Sequence, residues 1–237
     1  MLQNWLKPLP SALLKNVDAL PSGTFGKNLL LHTAANLPDL KQAKAVIIGI
    51  GDKEANEVRM QLYRTVFPFP KDSVADLGNL RKADAALLIP VVYELLSGKV
   101  LPIVLGSNDD WARAQFLAYQ EAKALVNLAV IDERFRCGRP SDTYTSLLSP
   151  RHPLLFHFGL LGYQIHQILP ESAHFLTQNN FDAVRLGRSR AAIEEVEPVL
   201  RDADLLAFHL AALKQSESPG VDNASPSGFT TEEACQL

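Results

Sequence analysis

The sequence predicts an α/β fold built on a mostly parallel sheet, and three observations carry that reading. Short unbroken apolar runs such as Ala45–Ile50 and Leu101–Leu105 suit parallel strands, which are buried on both faces. Several runs close on glycine, at Gly51, Gly106 and Gly187, where a chain leaving a strand has to turn. Stretches of helical periodicity separate them, as in a chain of βα units.

Composition narrows the function. With 237 residues, 47% of them apolar, the chain can bury one large core or two small ones. A net charge of -3 points away from nucleic acid and anionic membranes. Apolar runs such as Ala85–Val92 fall far short of a membrane span. The start, MLQNWLKPLP, has neither the basic and apolar regions nor the cleavage site of a secretory signal. Two cysteines, Cys137 and Cys235, form no disulfide framework and no zinc pattern, which fits a reduced, cytoplasmic protein.

Residues 1–44 read as an N-terminal covering arm. Pro8, Pro10, Pro21 and Pro38 interrupt any long element, and Leu29–His32 is a short apolar segment. The domain proper is expected over residues 45–237. Ala45–Ile50 opens it as a buried strand, and residues 54–66 follow as a helix with Val58, Leu62 and Val66 on its apolar face. A dinucleotide fingerprint beginning at Gly49 and Gly51 would need a third glycine where Glu54 stands. Val74–Asn79 is the second strand. Asp84 is placed to cap a helix to Ser97, whose apolar face carries Leu87, Leu88, Val91, Val92, Leu95 and Leu96; Pro90 predicts a kink there and Gly98 the end.

Leu101–Leu105 is the third strand, followed by Asn108, Asp109 and Asp110, any of which suits the start of the helix expected over Trp111–Val126. Leu128–Ile131 is the fourth. Residues 139–153 show no clear element. Leu155–Leu160 is the fifth strand, with Gly159 and Gly162 marking its turn and a short helix over Tyr163–Leu169. Phe181–Gly187 is the sixth. A helix over Ala191–Leu200 carries Glu194, Glu195 and Glu197 on its solvent side, with Pro198 near its end. Leu205–Leu210 is the seventh.

The stretch that organises the chemistry is Asn127–Gly138, NLAVIDERFRCG. Strand alternation carried past Ile131 would put Asp132, Arg134 and Arg136 on one side and Glu133 and Phe135 on the other. A carboxylate with two guanidiniums at the carboxyl end of a parallel strand lies where open α/β sheets keep their ligands. A surface ion network is the plain alternative. Cys137, between Arg136 and Gly138, reads as an ordinary loop thiol or as a nucleophile activated by the nearby cations.

This segment resembles the arginase, agmatinase and formimidoylglutamase family, the ureohydrolases, nearest their formimidoylglutamase-like bacterial branch. Gly49, Gly51 and Arg59 match the family's first glycine turn and arginine-bearing helix, and VADLGN at Val74–Asn79 its D-L-G turn. EPVLRDADLL, the P-G turn at Pro219 and Gly220, and PSGFTTEEA at Pro226–Ala234 complete the series. The resemblance implies a three-layer α/β/α sandwich that hydrolyses a C–N bond of a formimino or guanidino compound at a pair of manganese ions, in proteins that commonly form homo-oligomers. It maps the metal ligands onto Asp109, Asp132, Arg134, Arg136, His209 and Ala211, and the substrate-binding glutamate onto Glu233. Asp132 and Glu233 are thus the candidate catalytic residues, and Asp109, Asp132 and His209 the candidate metal ligands.

The departures matter chemically. Arg134 and Arg136 are permanent cations, and Ala211 has no donor. Two unit charges ~4 Å from a dication repel it by several kcal/mol even at an effective dielectric of about 20. Arg134 or Arg136 paired with Asp109 or Asp132 would replace the metal by salt bridges, leaving an impaired enzyme or a non-catalytic protein kept for binding or assembly. The resemblance also implies an eighth strand after the helix of Glu233. Seven strands are predicted here, so a C-terminally short member without the last strand is expected.

Overall fold

The computed structural model describes residues 2–122, 125–135, 137, 142–148, 154–222 and 224–237. It divides into two compact units, residues 1–122 and 123–237, each with its own sheet.

In the first unit β1 (Leu6–Lys7), α1 (Ser11–Asp18), α2 (Phe25–Asn28) and β2 (Leu30–Leu31) precede β3 (Ala45–Gly49) and α3 (Asp52–Leu62). Then come β4 (Val74–Leu80), α4 (Ala85–Ser97), β5 (Leu101–Leu105) and α5 (Asp110–Ala122). The sheet runs β1-β4-β3-β5, with β2 also on β4; every pairing is parallel except β1 with β4. Alternation along the strands sorts its two faces. Val46, Ile48, Ala75 and Leu77 pack with Leu88, Val91, Leu95 and Ala118 of α4 and α5. Ile47 and Val74 pack with Leu13, Val17 and Tyr63. Helices therefore cover both faces. The first 44 residues supply two strands and the buried Leu6, Leu9, Leu13 and Val17.

The second unit contains β6 (Val126–Ile131), α6 (Thr143–Leu147), β7 (Leu155–Tyr163), α7 (Pro170–Gln178), β8 (Asp182–Arg185), α8 (Leu186–Ala191), α9 (Glu197–Arg201), β9 (Leu205–Phe208) and α10 (Thr231–Gln236). Its sheet is wholly parallel in the order β8-β7-β6-β9. One face buries Ile131, Leu161, Val196 and Phe229. The other carries Phe158 against Phe135 and Phe181, with ring centroids 5.5 Å apart in each pair.

All seven predicted strands form at their expected positions, within a few residues at their ends, and several other expectations need correction. The buried face of α3 is Ala55 and Arg59, continued by Tyr63; Val58 and Val66 are 47% and 78% exposed. Apolar periodicity misled because an arginine that is 0% exposed occupies the core position. Pro90 lies inside one continuous helix, α4, whose start Asp84 caps by accepting from the Ala86 N–H. α5 ends at Ala122, and Val126 already belongs to β6. α6 lies within the stretch read as having no element, and α7, with Pro170 in its first turn, went unanticipated. Gly159 and Gly162 sit inside β7, not at its turn. A Cβ on Gly159 would meet Val199 at 2.4 Å, and one on Gly162, at φ +82°, would meet Phe229 at the same distance. The helix expected over Ala191–Leu200 is broken at Ala192 (φ -150°, ψ 76°), and Pro198 opens α9 rather than ending a helix.

The first unit is locked by one buried cluster. Arg59 Nε and Nη2 bond both oxygens of Asp76 at 2.7 and 3.0 Å, Nη1 reaches Asn79 and Asn56 at 2.6 and 3.1 Å, and Nη2 also reaches the Gly78 carbonyl at 2.7 Å. All five donors are thereby used. Gly49 makes the room, since a Cβ there would lie 2.0 Å from Asn79 Oδ1. Tyr63 donates to Asp76 at 2.9 Å, and its hydroxyl titrates far above the ordinary range, through burial first and the Asp76 charge next.

Among the described residues β5 pairs only with β3, and β9 only with β6, so each is an edge strand of its own sheet. Leu101 and Ile103 on β5 are 55% and 40% exposed, and Leu206 and Phe208 on β9 are 48% and 40% exposed. Among the described residues the last strand is β9, followed by the short helix α10.

Two outcomes are expected. Arg59→Met leaves a buried carboxylate uncompensated and costs about 3–5 kcal/mol in urea unfolding, whereas deleting an exposed pair such as Arg201–Glu197 costs under about 1 kcal/mol. Leu206→Lys charges an edge that has no gatekeeper and lowers concentration-dependent self-association in sedimentation velocity; identical profiles for variant and parent would refute the open-edge reading.

Candidate functional site

Within the second unit the candidate residues cluster at the carboxyl ends of β6 and β9. Parallel pairing sets Ile131 against Phe208. The next residues, Asp132 and His209, therefore leave neighbouring strands side by side. Their backbones remain held: the Asp132 N–H donates to the Leu161 carbonyl at 3.1 Å, and the His209 N–H to the Ile131 carbonyl at 3.0 Å. Asp132 is 1% exposed.

β6 ends at Ile131, so strand alternation does not extend through the next residues. Asp132, Glu133 and Phe135 are all buried, and only Arg134 is partly open, its side chain 31% exposed. Arg134 Nε donates to Glu133 Oε1 at 2.8 Å. Glu133 Oε2, also buried, accepts no hydrogen bond among the described residues. The Gln164 N–H bonds the Glu133 carbonyl at 2.9 Å, and the Gln164 side chain reaches the Ser227 carbonyl at 2.6 Å. Gln164 thus ties this turn to the loop before α10. Arg136 lies outside the described residues, as does Arg139 near Cys137.

His209 is half-buried, and its Nε2 lies 3.1 Å from the Tyr144 hydroxyl. Tyr144 stacks near Phe135, with centroids 6.5 Å apart. Neither Tyr144 nor Gln164 was identifiable from the sequence. Tyr144 lies in the stretch read as loop, and Gln164 in a segment with no motif. Ala211 brings no donor to the short 3-10 turn Leu210–Ala212 that follows His209. Cys137 is 1% exposed, lies 3.8 Å from Thr145 Oγ1, and accepts through its carbonyl from Ser172.

Glu233 has a different setting. Its Oε2 accepts the Thr230 N–H at 2.8 Å while Thr230 Oγ1 accepts the Glu233 N–H at 3.1 Å, a reciprocal capping box at the start of α10. Oε1 accepts from Arg190 Nε at 2.7 Å. Burial pushes this carboxyl up, but the Thr230 N–H and the Arg190 guanidinium outweigh it and hold the pKa below the ordinary value. In the first unit, Asp109 is 5% exposed at the start of α5; its carbonyl accepts from Ala112 at 3.0 Å, while the Asn108 side chain accepts from the Asp110 N–H at 3.0 Å.

Hard divalent ions take several carboxylate or imidazole ligands at once. Among the described residues no three His, Cys, Asp or Glu side chains converge as such a set. Of the positions to which the resemblance maps metal ligands, 134 bears a permanent cation and 211 a methyl group.

No protein-family model matches the chain, and no curated protein does. Solved structures do. A Trypanosoma cruzi formiminoglutamase with manganese aligns with a TM-score of 0.75 at 18% identity, over 85% of this chain and 81% of that one. The formimidoylglutamase of Bacillus subtilis aligns with a TM-score of 0.70 at 16% identity, over 84% and 75%. An arginase-like protein from Trypanosoma brucei aligns with a TM-score of 0.63 at 16% identity, over 97% and 82%. The α/β units described above, parallel-dominant with helices against their sheets, therefore have the arginase-like fold that formiminoglutamases share.

Proposed function

We propose that the chain is a ureohydrolase-superfamily protein in which manganese-dependent cleavage of a formimino or guanidino C–N bond is impaired. The observation that carries this is the donor set. On an arginase-like fold, Asp132 and His209 stand at the expected strand ends, yet no three metal donors converge among the described residues. Without a metal to lower the pKa of water, hydrolysis of an amidine near neutral pH lacks a ready nucleophile. Arg134, held by Glu133 at 2.8 Å, puts positive charge where the resemblance calls for a ligand. The same reading carries a small amidine or guanidino ligand and a reduced cytoplasmic setting; neither Cys137 nor Cys235 is in a disulfide.

A second reading, a protein kept for binding or assembly with no turnover at all, is favoured by Glu233. Both oxygens of the carboxylate that the resemblance assigns to substrate are engaged by Thr230 and Arg190.

Manganese loading separates these readings from a working enzyme. After loading and desalting, elemental analysis is expected to find no tightly held manganese on folded protein, with formiminoglutamate and arginine turnover at or near background. One or two retained ions per chain, with activity lost in Asp132→Ala, would overturn the proposal. Residual turnover without retained metal supports the impaired enzyme, and none supports the second reading.

The capping role makes its own prediction. Because the folded pKa of Glu233 lies below the ordinary value, its ionised form stabilises the fold above the unfolded glutamate pKa of roughly 4.3. That contribution disappears as pH falls through the folded value. Glu233→Gln should therefore cost about 1 kcal/mol near neutrality, the scale of one cap, and progressively less in acid. A cost that stays constant across that pH range would remove the carboxylate from the capping role.

A further inference from the structure

A cavity of about 320 Å³ in the first unit is lined by Gln3, His32, Thr33, Ala34, Asn36 and Arg81 among others. It is built where the chain leaves β2. Thr33 N–H donates to the Asn36 carbonyl at 3.0 Å, and Asn36 N–H returns to the Thr33 carbonyl and hydroxyl at 3.3 and 3.2 Å. This closed turn occupies the outer two N–H groups. Among the described residues, the N–H groups of Ala34 and Ala35 between them make no backbone hydrogen bond, and both residues are exposed.

His32 forms the floor, 6% exposed. Its N–H donates to the Asp76 carbonyl at 2.9 Å, and its carbonyl accepts from Leu9 at 3.0 Å, so the residue is fixed at both ends. Nδ1 lies 2.9 Å from the Leu77 carbonyl. A carbonyl can only accept, so Nδ1 donates and the ring orientation is set. Arg81 is exposed and steadied by Nη2 on the Gln3 carbonyl at 3.1 Å and by its N–H on the Trp5 carbonyl at 2.9 Å. No carboxylate lines the cavity.

We propose that this cavity binds a small ligand through an oxyanion group, a phosphate or a carboxylate. The guanidinium, the two peptide N–H groups, the Thr33 hydroxyl and the Asn36 amide supply donors around one space, and guanidinium with successive backbone N–H groups is a recurrent recognition set for such anions. The inference uses only the first unit and is independent of the metal question.

The test is a ¹H–¹⁵N titration of the full chain with inorganic phosphate and, in parallel, with acetate. Saturable shifts at the Ala34, Ala35 and Asn36 amides and at the His32 ring are expected, weakened about tenfold or more in Arg81→Gln, the loss of one charged hydrogen bond. Arg81 is exposed, so this variant keeps its fold; an unchanged spectrum away from the cavity checks that. Saturation by phosphate alone identifies a phosphoryl ligand, and saturation by both a general oxyanion site. Linear shifts with both anions, or shifts unaffected by Arg81→Gln, overturn the proposal.

Discussion

The interaction on which the first unit depends is the bidentate bond between Arg59 and Asp76, neither side chain exposed at all. Two charges moved out of water cost several kcal/mol each, and their attraction offsets this only when the geometry is good and the remaining donors and lone pairs are satisfied. Here they are. Asn79, Asn56 and the Gly78 carbonyl take the rest of the guanidinium, while Tyr63 and the Gly78 N–H complete the carboxylate. The cluster joins α3 to β4 at a fixed register. Asn79 passes the constraint on to Asp52, which Lys7 grips at 2.6 Å. Local features follow from it: glycine at position 49, the orientation of α3, and the close fit of β1 along β4.

This cluster also explains what the sequence could and could not disclose. Strand positions were legible because runs like AVIIG and LPIVL have few other uses in a soluble chain. Asp84 was legible as a cap because it precedes an apolar helical stripe and does accept a backbone N–H. The buried face of α3 was not legible from apolar periodicity, because its central residue is a charged one whose burial depends on Asp76, seventeen positions away. Ala192 broke a helix through backbone angles that composition does not encode. The exposure of Leu101 and Ile103 was equally hidden: the run reads as a doubly buried strand, and only the strand order makes it an edge.

At the candidate site the sequence supplied the positions but not their company. Asp132, Glu133, Arg134 and His209 lie where the strand ends place them. Their partners Tyr144 and Gln164 come from segments without a motif, joined to the site by contacts that span tens of residues. The expected side-by-side alternation of Asp132 and Arg134 failed for a simple reason: the strand stops one residue too early, and in the bend that follows burial no longer alternates.

The two units differ in what their buried polar residues do. In the first unit the side chains themselves join the elements, so exchanging Arg59 or Asp76 removes a structural bond. In the second unit side chains and backbone share that work at the site: the Gln164 side chain reaches the Ser227 carbonyl and His209 Nε2 lies beside the Tyr144 hydroxyl. Asp132, Gln164 and His209 are each fixed through their N–H groups to neighbouring strands or turns. The turn that follows His209 is closed by the Leu213 N–H on the Leu210 carbonyl at 3.1 Å. Backbone bonds of this kind hold the two strand ends side by side through groups that every residue carries, whatever side chain it bears.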